Sequence, residues 1–181
     1  MHSTKIDIPL EQCERLVRLL NERLADLIDL QRQAKQAHWN VRGPNFIALH
    51  RLFDEIAEQL DEQIDDVAER TTALGGVAEC TLAIVCKRTH LAPYSLEITS
   101  GSDHLDALST SVAIVGCSMR LALDRVTELA DADTADLLTG VSRALDKHLW
   151  TLDAHLDCDC SPGIHTKKAR DHFEAKCSLS S

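Results

Sequence analysis

Apolar residues recur along this chain every three or four positions, with charged residues between them, in four long stretches. That spacing gathers apolar side chains on one face of a 3.6-residue helix, so it predicts four amphipathic helices. In the first, Leu16, Leu19, Leu20, Leu24, Leu27 and Leu30 share a stripe. Asp7-Ile8-Pro9 forms its entrance, a capping acid followed by Pro near the first helical position, and Gly43-Pro44-Asn45 breaks the chain after about His38. The second runs from about Phe46 to Ala73, with Leu49, Leu52, Phe53, Ile56, Leu60, Ile64 and Val67 on its apolar side and Gly75-Gly76 behind it. A third covers roughly 103–130, capped by Ser102 or Asp103, with Leu105, Leu108, Val112, Val115, Met119 and Leu123 near its buried side. Asp131-Ala132-Asp133 is a tight junction in which Asp133 caps a fourth helix reaching about Leu156.

The second and third helices are joined by a long connection, residues 77–101, in which Thr81–Arg88 reads as a short helix. Four long helices with one long middle crossover define an all-α, ferritin-like four-helix bundle with a short extra helix in that crossover. Residues 1–157 make one such domain. Residues 158–181, which carry Pro162 and Gly163, read as a loosely ordered tail. Composition fits this picture: with 44% hydrophobic content, 3% aromatics, 4 Pro and 7 Gly, aliphatic helix-on-helix packing must supply the core. The 7 cysteines lack the spacing of a disulfide framework and read as thiols of a reducing compartment. No apolar run looks long enough to span a bilayer and no signal-peptide pattern is visible, so the expectation is a cytoplasmic protein with no membrane partner.

Charge changes the picture more. A formal charge of −10 repels nucleic acid and anionic membranes but concentrates cations. The second helix carries His50, Asp54, Asp65 and Glu69. At 100° per residue the three acids fall about 40°, 60° and 100° from His50, one stripe away from the apolar side. Glu55, Glu58, Asp61, Glu62 and Asp66 on the same helix allow a plainer reading, a solvated acidic face; His50 and the upstream His38 turn it toward a metal. Imidazole with carboxylate suits Fe(II) or Zn(II) better than Ca²⁺. Asp54 and Asp65 lie about 16 Å apart along the axis, too far to share one ion. Yet the pairs His50/Glu69 and Asp54/Asp65 are symmetric about a point between Gln59 and Leu60. A copy packed antiparallel on a two-fold axis there would bring His50 to the partner's Glu69 and Asp54 to the partner's Asp65.

These residues also carry a likeness. His38-Trp39-Asn40-Val41-Arg42-Gly43-Pro44-Asn45-Phe46, then Leu49-His50, Phe53-Asp54-Glu55, Asp65-Asp66 and Ala68-Glu69-Arg70, closely resemble the Dps family of bacterial miniferritins. So do Asp133-Thr134-Ala135-Asp136-Leu137-Leu138 and Leu145-Asp146-Lys147-His148-Leu149-Trp150, over roughly residues 10–157 in all. The resemblance implies a homododecamer of tetrahedral symmetry that oxidises Fe(II), preferentially with hydrogen peroxide, and stores the ferric mineral in its hollow. It implies a ferroxidase site with iron held by His38, His50 and Asp54 of one subunit and Asp65 and Glu69 of its neighbour, Zn being a possible substitute. It further implies an iron-entry pore with Glu128, Asp133 and Asp136, Asp131 being a fourth candidate. Trp39 resembles the family's site tryptophan, with packing at a helix end as its alternative role.

Other signals are weaker. His148 and His155, seven residues apart on the fourth helix, read as packing histidines. Cys158, Cys160, His165, His172 and Cys177 crowd the tail, where C-x-C alone is a weak metal signal. Family members often bind DNA through a lysine-rich N-terminal arm. Here that arm offers only Lys5, balanced by Asp7, and the tail's Lys167, Lys168, Arg170 and Lys176 face an acidic body, so DNA binding is not favoured. The rival readings are a nucleoid-compacting protein with secondary ferroxidation and a Zn- or Cu-buffering shell.

Overall fold

The computed structural model describes residues 1–157; the expectations for the tail, including Cys158, Cys160, His165, His172 and Cys177, lie outside the described residues. Five helices follow in order: α1 (Leu10–Asn40), α2 (Phe46–Ala73), α3 (Leu82–Arg88), α4 (Gly101–Glu128) and α5 (Ala132–Asp157). Packing pairs α1 with α2 and α4 with α5, and α1 against α4 joins the two hairpins. The short α3 lies on α1 within the long crossover. Among the described residues there is no strand, only an isolated bridge between Arg42 and Ser100.

The four leucine-rich stripes meet as expected. Leu16, Leu20, Leu24, Leu27 and Leu30 of α1 are fully buried against Phe53, Ile56 and Leu60 of α2 and Leu108, Val112, Val115 and Met119 of α4. Burying each such side chain stabilises the bundle by about 1.5–3 kcal/mol. The α1 helix is buried on more than its apolar stripe, because the crossover roofs it, and its polar residues there act as anchors. Asn21 donates to the Val77 carbonyl (3.0 Å) and accepts from the Glu79 amide (2.8 Å). Asp26 accepts from the His90 amide (2.9 Å) and pairs with Arg23 at 3.3 Å. Each buried polar group that is satisfied in this way ties the irregular segment to the bundle.

Helix ends depart from expectation. Pro9 itself occupies the N-cap of α1, and no side chain caps it, so Asp7 is not the capping acid. The cap of α4 is Ser100, whose hydroxyl accepts from the Asp103 amide (3.1 Å), rather than Ser102 or Asp103. At α5 the capping carboxylate is Asp131, which accepts from the Thr134 amide (3.3 Å); Asp133 lies in the first turn. In both cases the chain starts its helix two residues earlier than the polar cluster suggested, which any Ser or Asp can support. The α4 helix also corrects the expectation of no spanning-length run: it is long and apolar enough to cross a membrane by length and composition. Its apolar side is committed to α1 and α5, as befits a core helix.

The N-terminal residues are tied down. The His2 amide donates to the Gly75 carbonyl (2.6 Å), and Ile8 packs against the core. Gly75 has φ +84°, and a Cβ there would sit 2.5 Å from the His2 carbonyl oxygen, so the turn after α2 accepts this contact only as glycine.

Candidate metal centre

His38 in the last turn of α1 and His50 in the first turns of α2 face each other across the short α1–α2 connection. Their rings stack with centroids 3.8 Å apart. The Nδ1 of His38 lies 2.7 Å from the carbonyl oxygen of His50, and the Nδ1 of His50 lies 2.8 Å from the carbonyl oxygen of His38. A carbonyl only accepts, so each Nδ1 carries the proton and each Nε2 keeps a lone pair. Backbone-oriented imidazoles of this kind are the usual ligands of transition metals. Phe46 stacks on His50 at 5.1 Å, closing its other side.

Asp54, one turn beyond His50, stands 3.9 Å from the His38 ring nitrogen and is partly exposed. Lys35 pairs with its carboxylate. That hydrogen bond, opposed by burial and helped by the Lys35 charge, holds Asp54 below the ordinary carboxylate range. Three of the five expected ligands are thus brought together. The other two are not: Asp65 and Glu69 sit about three to four turns beyond Asp54 along α2, exposed, and neither makes an ion pair among the described residues. His38, His50 and Asp54, though neighbours, do not converge on one point, and no group of three or more His, Cys, Asp or Glu side chains able to hold a metal forms among the described residues. The expected ligands thus fall in two separate groups, His38 of α1 with His50 and Asp54 of α2, and Asp65 with Glu69 further along α2.

Lys35 was not picked out from the sequence. It lies one turn before His38, but its contact with Asp54 joins two helices, and pairing across helices leaves no spacing signal. The same holds for Arg70, beside Glu69: it donates to both carboxylate oxygens of Asp131 at 2.9 Å and to the Thr134 hydroxyl at 2.8 Å. Asp131 is buried, and Thr134 and Arg70 overcome that burial to hold its carboxyl below the usual range. It is therefore a cap and an anchor, not a pore acid. Glu128, Asp133 and Asp136, by contrast, are all exposed around the α4–α5 junction.

Trp39 is 68% exposed, as is Trp150, so most of its surface is left uncovered by the described residues. Trp39, Phe46 and Ile47 together leave apolar surface at the end of the bundle that carries the two histidines. His148 is buried on α5, and burial lowers its pKa; His155 contacts the Thr151 carbonyl at 2.9 Å. Both are placed as packing groups.

A bundle of two helix hairpins with a long crossover, bearing imidazoles and carboxylates on its first hairpin, defines a ferritin-like protein, and the ferritin-like domain family matches residues 17–159. The DNA protection during starvation protein of Agrobacterium fabrum is 45% identical over 155 residues, 86% of this chain and 96% of that protein. Among solved structures, Mycobacterium smegmatis Dps in a tetragonal form superposes with a TM-score of 0.84 at 30% identity, covering 92% of this chain and 99% of that one. A Vibrio cholerae Dps protein, described as a member of a broad superfamily of ferritin-like diiron-carboxylate proteins, gives 0.80 at 26% identity over 86% of this chain and 98% of that one. The chain belongs to the Dps family of ferritin-like proteins.

Proposed function

We propose that this chain is a ferroxidase subunit that oxidises Fe(II), preferentially with hydrogen peroxide, and stores the ferric product inside a homododecamer of tetrahedral symmetry. The observation that carries the reading is the reciprocal Nδ1–carbonyl bonding of His38 and His50. It orients both imidazoles at the end of the bundle where Asp54 lies 3.9 Å from the His38 ring, while Asp65 and Glu69 stand exposed toward the other end of α2. Antiparallel pairing of α2 with a partner's α2 completes two equivalent sites and covers Trp39, Phe46 and Ile47. Two Fe(II) deliver two electrons to one peroxide; its O–O bond breaks, two solvent protons enter, and two waters leave with two Fe(III). No hydroxyl radical is released when both electrons arrive together. Zn(II) fits the same ligands but supplies no electron, so it acts as a competitor.

Glu128, Asp133 and Asp136 support a cation-attracting pore at the α4–α5 junction. Anaerobic loading with Fe(II) followed by peroxide tests the assignment. Wild type should oxidise iron rapidly and His50→Ala/Asp54→Ala should not; equal rates would refute the site.

The names of the relatives favour a second role, protection of DNA. Physical association with DNA is opposed here by the −10 charge and by an N-terminal segment bonded to Gly75 rather than projecting. A salt-titrated gel shift should show no binding at physiological ionic strength; tight binding there would reverse this ranking. A cytoplasmic location is part of the proposal.

A further inference from the structure

The chain has 1 tyrosine, and it is not on the surface. Tyr94, in the crossover just before α4, is half-buried, and its hydroxyl lies 2.8 Å from Nδ1 of His104 in the first turn of α4. His104 is 1% exposed. Its Nε2 is buried without a hydrogen-bond partner of normal geometry, and the Asn40 backbone is the acceptor beside the ring. A carbonyl next to Nε2 calls for a proton there, which leaves Nδ1 as the acceptor and the Tyr94 hydroxyl as the donor. Burial pushes the Tyr94 hydroxyl well above its ordinary pKa and pushes that of His104 down, so phenol and imidazole are both neutral at rest.

The pair lies behind the metal-binding end. The Tyr94 and His104 rings stack within 10° of parallel at 6.0 Å, and His104 meets the Phe53 ring edge-on at 6.3 Å. Phe53 precedes Asp54, and Asn40 follows His38 by two residues. A neutral phenol bonded to a neutral imidazole loses an electron more readily than a phenol without a base, because the proton released on oxidation has an acceptor already in place.

We propose that Tyr94 and His104 form a proton-coupled redox pair that supplies the second electron when peroxide meets a site holding only one Fe(II). The inference rests on the ferroxidase reading. Fe(II) gives one electron and becomes Fe(III); Tyr94 gives the other and becomes a neutral phenoxyl radical, its proton passing to Nδ1 of His104. The O–O bond breaks and two solvent protons complete two waters, so the single-iron event releases no hydroxyl radical.

The test uses the full-length assembled protein, given one Fe(II) per subunit and then peroxide, with freeze-quench electron paramagnetic resonance alongside optical detection of Fe(III). Wild type should show a tyrosyl signal that narrows with ring-deuterated tyrosine. Tyr94→Phe, which keeps the ring, should lack it. In a second arm, hexachloroiridate(IV) oxidises the iron-free protein directly. There His104→Gln, which keeps a hydrogen-bonding side chain but no base, should lower the Tyr94 oxidation rate by about a hundredfold, the lower range for a positioned base. Normal Fe(III) formation without a tyrosyl signal, or with a tryptophan signal only, would overturn the pair while leaving the ferroxidase intact. Absence of iron oxidation in wild type would instead sink the ferroxidase reading. The iridate arm then still decides the proton transfer, since equal rates in wild type and His104→Gln overturn it.

Discussion

The two ends of α2 are built differently. At its start, His50 is bonded through backbone carbonyls to His38 of α1, and Asp54 is held by Lys35 of the same helix. At its finish, Asp65 and Glu69 project freely, while the neighbouring Arg70 is locked onto Asp131 and Thr134 at the start of α5. One end orients the ligands themselves. The other fixes only the helix beneath them. One end is prearranged within the chain and the other leaves both carboxylates without an ion pair among the described residues, the contrast on which the proposed shared site rests.

The largest effects test that division. His50→Ala/Asp54→Ala and Asp65→Asn/Glu69→Gln should each lower site-dependent iron oxidation at least about a hundredfold, because loss of even the groups behind metal ligands costs about ten- to a hundredfold. Co-assembling the two inactive variants should restore roughly a quarter of wild-type rate, since random pairing about a two-fold axis leaves one intact site in half of the dimers. No recovery in the mixed shells would break the shared-site comparison.

A smaller effect belongs to the anchored end. Asp131→Ala removes a helix cap and strands a largely buried guanidinium, so unfolding free energy should drop by about 3 kcal/mol in denaturant titrations. The folded carboxyl lies below its ordinary value, so its contribution is complete above pH about 4 and is lost as pH falls through the lower folded value. The stability gap between wild type and Asp131→Asn should therefore close in acid. A gap that widened would contradict the ion pair.

Lys35→Met sharpens the comparison at the other end. Metal must displace the ammonium from Asp54, and a partly exposed pair is worth up to about 1 kcal/mol, so anaerobic Fe(II) or Zn(II) calorimetry should show affinity raised up to about fivefold. The least effect is expected from Ser100→Ala: about 1 kcal/mol of stability through the lost cap, with iron oxidation unchanged. A fall in activity there would mean that α4 positions the site.

Much of this was legible in the sequence. The periodicities of α1, α2 and α4 name residues that are buried, apart from Leu52, Ile64 and Leu123, which are partly exposed, because helical spacing and burial obey the same geometry. His50, Asp54, Asp65 and Glu69 were visible as one stripe, being on one helix. What escaped was whatever depends on contact between elements: Lys35 on Asp54, Arg70 on Asp131, Tyr94 on His104. The caps slipped for a related reason. Ser100, Ser102 and Asp103, or Asp131 and Asp133, are equally good acceptors, and only the tertiary position of the first turn selects one.

By itself, then, the sequence determined that four apolar-striped helices form one bundle and that its second helix carries His50, Asp54, Asp65 and Glu69 on one stripe, placed symmetrically about its middle. Local spacing suffices for that, since each stripe is a property of one helix. Only the tertiary structure decided that His38 and His50 orient one another, that Asp131 is an anchor rather than a pore acid, and that a single tyrosine meets a buried histidine behind the site. Those are distances between residues on different elements, and the periodicity of a single helix does not encode them.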